Sequence, residues 1–229
     1  GDYYVVPSEE VGKEFIRAGI PQEKLLPFGI PVAPAYAQET DREEAVGKIE
    51  EELPEGRKLK PGKIYLIVGG SMGAGNICGL VRELDRQSDR EDNILVICGS
   101  NQQIYDKLQK EYQREGKVQI LGWTDKMPLF LHAADALFTK PGGLTSTEAA
   151  TAGCPMVHID PIPGCETANM SYFVRHGYSI TAKTSEGQVA AGIRLAHDDS
   201  MRERMRENQR RDFKGDTSQK ILQFIEKCR

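Results

Sequence analysis

From residue 63 onward, short apolar runs alternate with stretches that are apolar along one face only. The runs are 63–68 (KIYLIV), 93–98 (NILVIC), 118–121 (VQIL), 136–139 (ALFT), 156–159 (MVHI) and 178–181 (YSIT). Several are almost continuously apolar, the pattern of strands covered on both faces. Between them lie helical patterns at 74–86, 102–113, 127–134, 144–152, 167–175 and 186–196. Strand, helix, strand at this spacing predicts βαβ units, hence a parallel sheet with right-handed crossovers. The predicted fold class is α/β, a Rossmann-like parallel sheet of about six strands flanked by helices. Two tail helices follow, a heavily charged one at 201–213 and one at 217–227 whose Ile221 and Ile225, with Cys228, form an apolar stripe.

The first sixty residues read differently. Residues 3–6 predict a strand, and Ser8 predicts an N-cap for a helix with Glu9 and Glu10 in its first turn, running to Ala18. Gly19, Pro21, Pro27, Gly29, Pro31 and Pro34 then break the chain into short extended pieces, before a charged helix at 41–53 and a linker at 54–62. This is too little for an independent domain. The organisation expected is 1–60 as the end of an N-terminal domain plus a linker, 61–200 as the Rossmann-like domain, and 201–229 as C-terminal helices.

Charge and cysteine content narrow the function classes. Thirty Lys and Arg against 34 Asp and Glu give a net charge of −4, which argues against a protein that coats nucleic acid. No apolar run approaches the ~20 residues of a membrane-spanning helix. The start, Gly1-Asp2-Tyr3-Tyr4-Val5-Val6, lacks the basic and apolar segments of a signal peptide, and no initiator Met is present. Five cysteines without a Cys-x-x-Cys pair read as reduced cytosolic thiols. The four histidines, at 132, 158, 176 and 197, show no metal-ligand spacing and are expected to pack or face solvent.

Two glycine-rich turns carry candidate chemistry. Residues Gly69-Gly70-Ser71-Met72-Gly73-Ala74-Gly75 follow a predicted strand and open a helix, a geometry in which backbone N–H groups and the helix dipole can meet an anion. No Lys-Ser/Thr follows, so this is not a phosphate loop of the Walker type; tight helix–sheet packing explains the glycines equally well. The second turn, from Thr139 to Ala149, again follows a strand: Gly142 and Gly143 leave room at the helix start, and Thr145 or Ser146 could donate hydroxyls to a phosphate. Glu148 lies about one and a half turns in, where a carboxylate can accept from both hydroxyls of a ribose whose diphosphate sits on the helix N-terminus. Such bonds to a charged acceptor contribute about 1.5–3 kcal/mol each. The plain alternative is a Glu complementing the helix dipole, worth about 0.3–1 kcal/mol. The strand at 93–98 ends in Cys98-Gly99-Ser100 rather than in an acidic residue, which speaks against a dinucleotide oxidoreductase.

Five segments occur in one order: Gly69-Gly70-Ser71-Met72-Gly73, Cys98-Gly99-Ser100-Asn101, Leu121-Gly122-Trp123-Thr124-Asp125-Lys126-Met127, Thr139 to Ala149, and Pro161-Ile162-Pro163-Gly164-Cys165-Glu166-Thr167-Ala168-Asn169. In that order the chain resembles the C-terminal, donor-binding half of GT-B glycosyltransferases. The likeness is to the family-28-like group of monogalactosyldiacylglycerol synthases and processive diacylglycerol glucosyltransferases, with the peptidoglycan N-acetylglucosaminyltransferase more distant. The start fits as well, since Asp2 to Pro7 and Pro27-Phe28-Gly29-Ile30-Pro31-Val32 resemble the end of the family's N-terminal half and its approach to the interdomain linker.

The resemblance implies that Glu148 holds the ribose of a UDP-sugar. It implies that Gly142, Gly143, Leu144 and Thr145 contact the diphosphate, with Ser71 and Met72 on the other side. Trp123, Thr124 and Met127 would frame the uracil and Asn101 would lie near the nucleotide. On the residues alone, Trp123 reads equally as a buried core anchor, Asp125 as a cap of the following helix, and Asn101 as another cap. Cys165 stands where the family commonly has Gln, replacing a two-way hydrogen-bonding amide with a thiol, while Glu166 and Asn169 are retained for sugar hydroxyls. Cys165 is read as passive, since no His with a supporting carboxylate lies close in sequence.

The implied reaction is inverting transfer of a hexose from UDP to a lipid acceptor, with charge on the departing UDP met by the helix at Gly143 and by Lys140 if its amine turns inward; a solvated Lys is the simpler state. No metal or other cofactor is expected. The general base is expected from the N-terminal half, so that this chain alone would turn over little or nothing. The implied setting is the cytoplasmic face of a membrane, contacted peripherally through that half. The alternatives are another GT-B enzyme, such as the peptidoglycan transferase or a UDP-sugar epimerase, and a module that senses UDP-sugar without chemistry.

Overall fold

The computed structural model describes residues 2–54, 57–69, 76–112 and 116–228. Near the start, β1 (Tyr4–Val5) and β2 (Leu25–Leu26) pair in parallel around α1 (Glu9–Arg17). The hydroxyl of Ser8 accepts from the Val11 N–H at 3.3 Å, the predicted cap. A helical turn at Pro34–Tyr36 follows, and then α2 (Arg42–Glu50), whose cap is Asp41, accepting from the Glu43 N–H at 2.8 Å.

The main sheet has five parallel strands: β3 (Ile64–Val68), β4 (Asn93–Ile97), β5 (Val118–Leu121), β6 (Ala136–Thr139) and β7 (Met156–His158), ordered β5-β4-β3-β6-β7. The sixth expected strand, at 178–181, is reduced to one bridge, Val157 to Ile180. The side chains of Ser179 and Thr181 bond back to His158, and α8 (Ser185–His197), capped by Thr184, starts before a ladder can extend.

Strand side chains alternate between two cores. Tyr65 and Ile67, with Ile94, Val96 and Phe138, face α3 (Ile77–Gln87), α4 (Gln102–Glu111) and α8. Ile64, Leu66 and Val68, with Leu95, Ile97 and Leu137, face α2, α5 (Met127–Ala133), α6 (Gly143–Thr151) and α7 (Cys165–Arg175). Every residue of β3 and β4 is buried, which is why those runs read as continuously apolar. α9 (Asp199–Asp212) starts two residues before its predicted position because Asp198 caps it through the Met201 N–H at 2.8 Å.

α10 (Thr217–Lys227) returns to the N-terminal unit. Phe224 meets Tyr3 edge to face at 4.7 Å, and the Thr217 hydroxyl donates to the Phe28 carbonyl at 2.7 Å. Only part of the predicted stripe is covered: Ile221 is half-buried, whereas Ile225 and Cys228 remain exposed. Among the described residues, no helix is long and apolar enough to cross a membrane.

Candidate functional site

The chain runs from β3 through β4 to β5, then crosses back to the other side of β3 for β6 and β7. The direction of winding therefore reverses between β3 and β6, the switch point beyond whose strand carboxyl ends open α/β sheets hold ligands. All five motif segments follow carboxyl ends: Gly69 after β3, Cys98 to Asn101 after β4, Gly122 to Met127 after β5, Lys140 to Glu148 after β6, and Pro161 to Asn169 after β7. The described residues thus set these turns along one rim. Ser71 and Met72 lie outside the described residues.

α6 opens directly onto the switch point. Its first internal hydrogen bond is Ser146 N–H to Gly142 carbonyl at 3.1 Å, so the N–H groups of Gly143, Leu144 and Thr145 precede the helical ladder. Gly142 supplies no side-chain cap, whereas α1, α2, α3, α4, α8 and α9 are capped by Ser8, Asp41, Asn76, Asn101, Thr184 and Asp198. A Cβ built on Gly142 would meet no atom within 4 Å, while one on Gly143 would touch Ile30 at 3.4 Å. Leu144 is 55% exposed and Thr145 half-buried. Ser146 is removed from the phosphate candidates: its hydroxyl is fully buried against His158 Nε2 at 3.0 Å. Thr147 likewise turns back, donating to the Gly143 carbonyl at 2.7 Å.

Glu148 is half-buried, and burial raises its carboxyl above the ordinary Glu value. The phenol of Tyr36, brought by the turn at Pro34–Tyr36, faces it and opposes that rise. Lys140, at the end of β6, is 7% exposed as a residue, so its stem is buried beside the switch point.

The other predicted residues divide. Asn101 is a cap, accepting from the Ile104 N–H at 3.1 Å. Trp123 is 74% exposed, which overturns its reading as a core anchor. Asp125 does not cap α5, which starts without a side-chain cap; Thr124 accepts from the Lys126 N–H at 3.0 Å in the turn before it, and Met127 packs against the core. Cys165 is exposed at the start of α7, two residues earlier than the predicted helix. The turn is made by Gly164 at φ +110°, a conformation L side chains rarely adopt. Glu166 accepts from the Ile162 N–H at 2.7 Å, shaping that turn, and Asn169 donates to the Pro141 carbonyl at 3.0 Å, tying α7 to the turn before α6.

With this geometry in hand, residues 49–212 match the family model described as Glycosyl transferases group 1. The chain belongs to that family. It is 32% identical over 193 residues to a processive diacylglycerol beta-glucosyltransferase of Staphylococcus saprophyticus, covering 82% of this chain and 47% of the relative. It is 27% identical over 212 residues to the enzyme of the same name from Staphylococcus carnosus, covering 92% and 52%. The chain therefore spans about half the length of the curated relatives it matches. A UDP-GlcNAc 2-epimerase from Neisseria meningitidis bound to UDP-GlcNAc shares the fold, with a TM-score of 0.68, 15% identity, and 99% of this chain and 61% of that one covered.

In this group 1 chain the rim combines an open helix N-terminus, a half-buried carboxylate and a lysine with a buried stem, the chemistry to hold an anion and a diol together. Behind it, His158 fixes α6 to β7. Its Nε2 and Nδ1 face the hydroxyls of Ser146 and Ser179, both at 3.0 Å, and burial holds its pKa down to about 3, so the ring is neutral. Sequence reasoning did not find this Ser–His–Ser link or Tyr36, because both depend on contacts between distant segments that no spacing rule encodes.

Proposed function

We propose that this chain binds a UDP-sugar on the carboxyl rim, as the donor-binding part of a hexosyltransferase that acts on a diacylglycerol-type lipid with inversion at the anomeric carbon. The observation that carries the reading is the uncapped N-terminus of α6 at the switch point, with Glu148 about one and a half turns behind it. The diphosphate rests on the N–H groups of Gly143, Leu144 and Thr145, and Lys140 offsets its charge. Glu148 takes the ribose hydroxyls, and exposed Trp123 flanks the base. Glu166 and Asn169 border the hexose, with Cys165 beside them. Support comes from the names of the staphylococcal relatives and from UDP-GlcNAc in the Neisseria neighbour.

The general base and the lipid acceptor are assigned to a further half of the intact protein, which would also make peripheral contact with the cytoplasmic face of a membrane. The 229-residue chain is therefore expected to bind donor without steady transfer. No metal enters this reading. Calorimetric titration with UDP, UDP-glucose, UDP-galactose and GDP tests it. Uridine nucleotides should bind at least tenfold more tightly than GDP, and Glu148→Ala should weaken UDP by about ten- to a hundredfold. Equal affinity for GDP, or an unaffected Glu148→Ala, would sink the assignment. The epimerase fold of the Neisseria neighbour keeps a second reading alive. Conversion of UDP-GlcNAc to its 2-epimer without any acceptor would select that one.

A further inference from the structure

α6 opens with residues that give it little reason to hold a fixed start. Gly143, Thr145, Ser146 and Thr147 are weak helix formers, and the better ones, Glu148, Ala149 and Ala150, come only in the second half. Gly142 adds no side-chain cap. The start is held from behind instead. Ser146 is fully buried, with its hydroxyl 3.0 Å from His158 Nε2. Among the described residues, this is the only side-chain hydrogen bond that joins residues 143–147 to another element.

His158 is itself fixed from several sides. Its Nδ1 faces the Ser179 hydroxyl at 3.0 Å, its backbone N–H donates to the Ile180 carbonyl at 2.8 Å, and its carbonyl accepts from the Thr181 hydroxyl at 2.8 Å. Phe173 of α7 meets the ring edge to face at 5.3 Å. The imidazole is fully buried and neutral, so one nitrogen donates, the other accepts, and the two serine hydroxyls complete both.

We propose that His158 is a positioning residue for the donor: by holding Ser146 it fixes where the N–H groups of Gly143, Leu144 and Thr145 point, and so sets the affinity of α6 for a diphosphate. This rests on the reading of α6 as the diphosphate site. N–H groups already in place meet an anion without reorganisation, whereas a helix start free to shift must be ordered by the ligand at the expense of affinity. The lever is directional. Ser146 is the fourth residue of α6, so its tether acts on the three N–H groups just before it, while Ser179 lies in the segment after β7 and bonds the opposite nitrogen of the ring.

The two serines therefore make a matched pair of probes. Each is buried, each hydroxyl lies 3.0 Å from one imidazole nitrogen, and each change to Ala leaves one nitrogen without its partner. A hub that only stabilises the fold would make the two changes equivalent. The experiment is the dissociation constant for UDP and for uridine, with the melting temperature, of the wild-type chain, Ser146→Ala, Ser179→Ala and His158→Phe. Both serine variants should melt lower by similar amounts. Ser146→Ala should weaken UDP about three- to tenfold, Ser179→Ala by less than about twofold, and uridine should be unchanged in both. Since Ala is the better helix former, a weaker α6 cannot account for that loss. In the His158→Phe background, Ser146→Ala should weaken UDP no further. Should Ser146→Ala melt below the assay temperature, Ser146→Cys takes its place, keeping the bulk with only a weak donor. Equal losses of UDP affinity in the two serine variants, or none in Ser146→Ala, overturn the positioning role and leave the donor site standing. A wild-type chain that binds UDP no more tightly than uridine removes the diphosphate from α6, and this proposal falls with that reading.

Discussion

The two ends of the same sheet use polar residues in opposite ways. At the amino end, the side chains of Asp135, Asp92 and Asn93 are consumed by the fold. Asp135 accepts from the Ile64 N–H and from Arg42 Nη2, both at 2.9 Å. Asp92 accepts from the Lys63 and Asp89 N–H groups at 2.8 and 2.9 Å, and Asn93 exchanges bonds with the backbone of Lys60 at 2.8 and 3.0 Å. At the carboxyl end, α6 and α7 start without side-chain caps, the Lys140 stem is buried beside the switch point, and Trp123 and Leu144 stand out into solvent. Carboxylates and amides tied to the backbone at one end serve the fold, whereas helix N-termini left without side-chain caps at the other leave N–H groups that an anionic ligand can satisfy.

The largest effect that could break this comparison is at the amino end. Asp135→Ala strips partners from Arg42 and from the Ile64 N–H, so it should cost about 2–4 kcal/mol of stability. For a chain of this size that lowers Tm by roughly 4–16 °C in a calorimetric melt. UDP affinity, measured well below the melt, should stay within twofold of wild type. A Kd that rises in step with the lost stability would mean the two ends are not separable.

The converse is expected of Lys140. Lys140→Met keeps the length of the buried stem and removes its charge, so the variant should melt no lower than wild type. UDP should bind about ten- to a hundredfold more weakly, and uridine, which has no phosphate, should be unaffected. Equal losses for UDP and uridine would remove Lys140 from the diphosphate and return it to packing.

What could be read from the sequence follows the same divide. β3 and β4 were legible because every residue is buried and apolar runs report burial on both faces. The run at 178–181 looked alike but is not a strand, because Ser179 and Thr181 bond to His158 and a capped helix starts at once. The β6–α6 turn was legible through its glycines and Glu148, whose spacing is local. Lys140 and Trp123 were not, since the default for a lysine is solvent and for a tryptophan is burial, and the rim reverses both. Tyr36 was illegible for a different reason: its place near Glu148 depends on the path of the linker, which passes Gly215 at Ala37.

The smallest effect sharpens the comparison most cheaply. Trp123 is the only tryptophan in the chain and is 74% exposed just past the end of β5. Intrinsic emission therefore reports on this one point of the rim. If the uracil lies against the indole, UDP titration should change the emission along a saturable curve with the calorimetric Kd, and glucose alone should not. Offset stacking contributes about 0.5–1.5 kcal/mol, so Trp123→Leu should weaken UDP only about two- to tenfold and leave the melt unchanged, because nothing in the core leans on an exposed ring. The amino end provides the internal control. Asp135→Ala should leave the amplitude and midpoint of the emission titration intact at temperatures where it is folded. A flat response to saturating UDP would move the base away from β5, even with the diphosphate site on α6 retained.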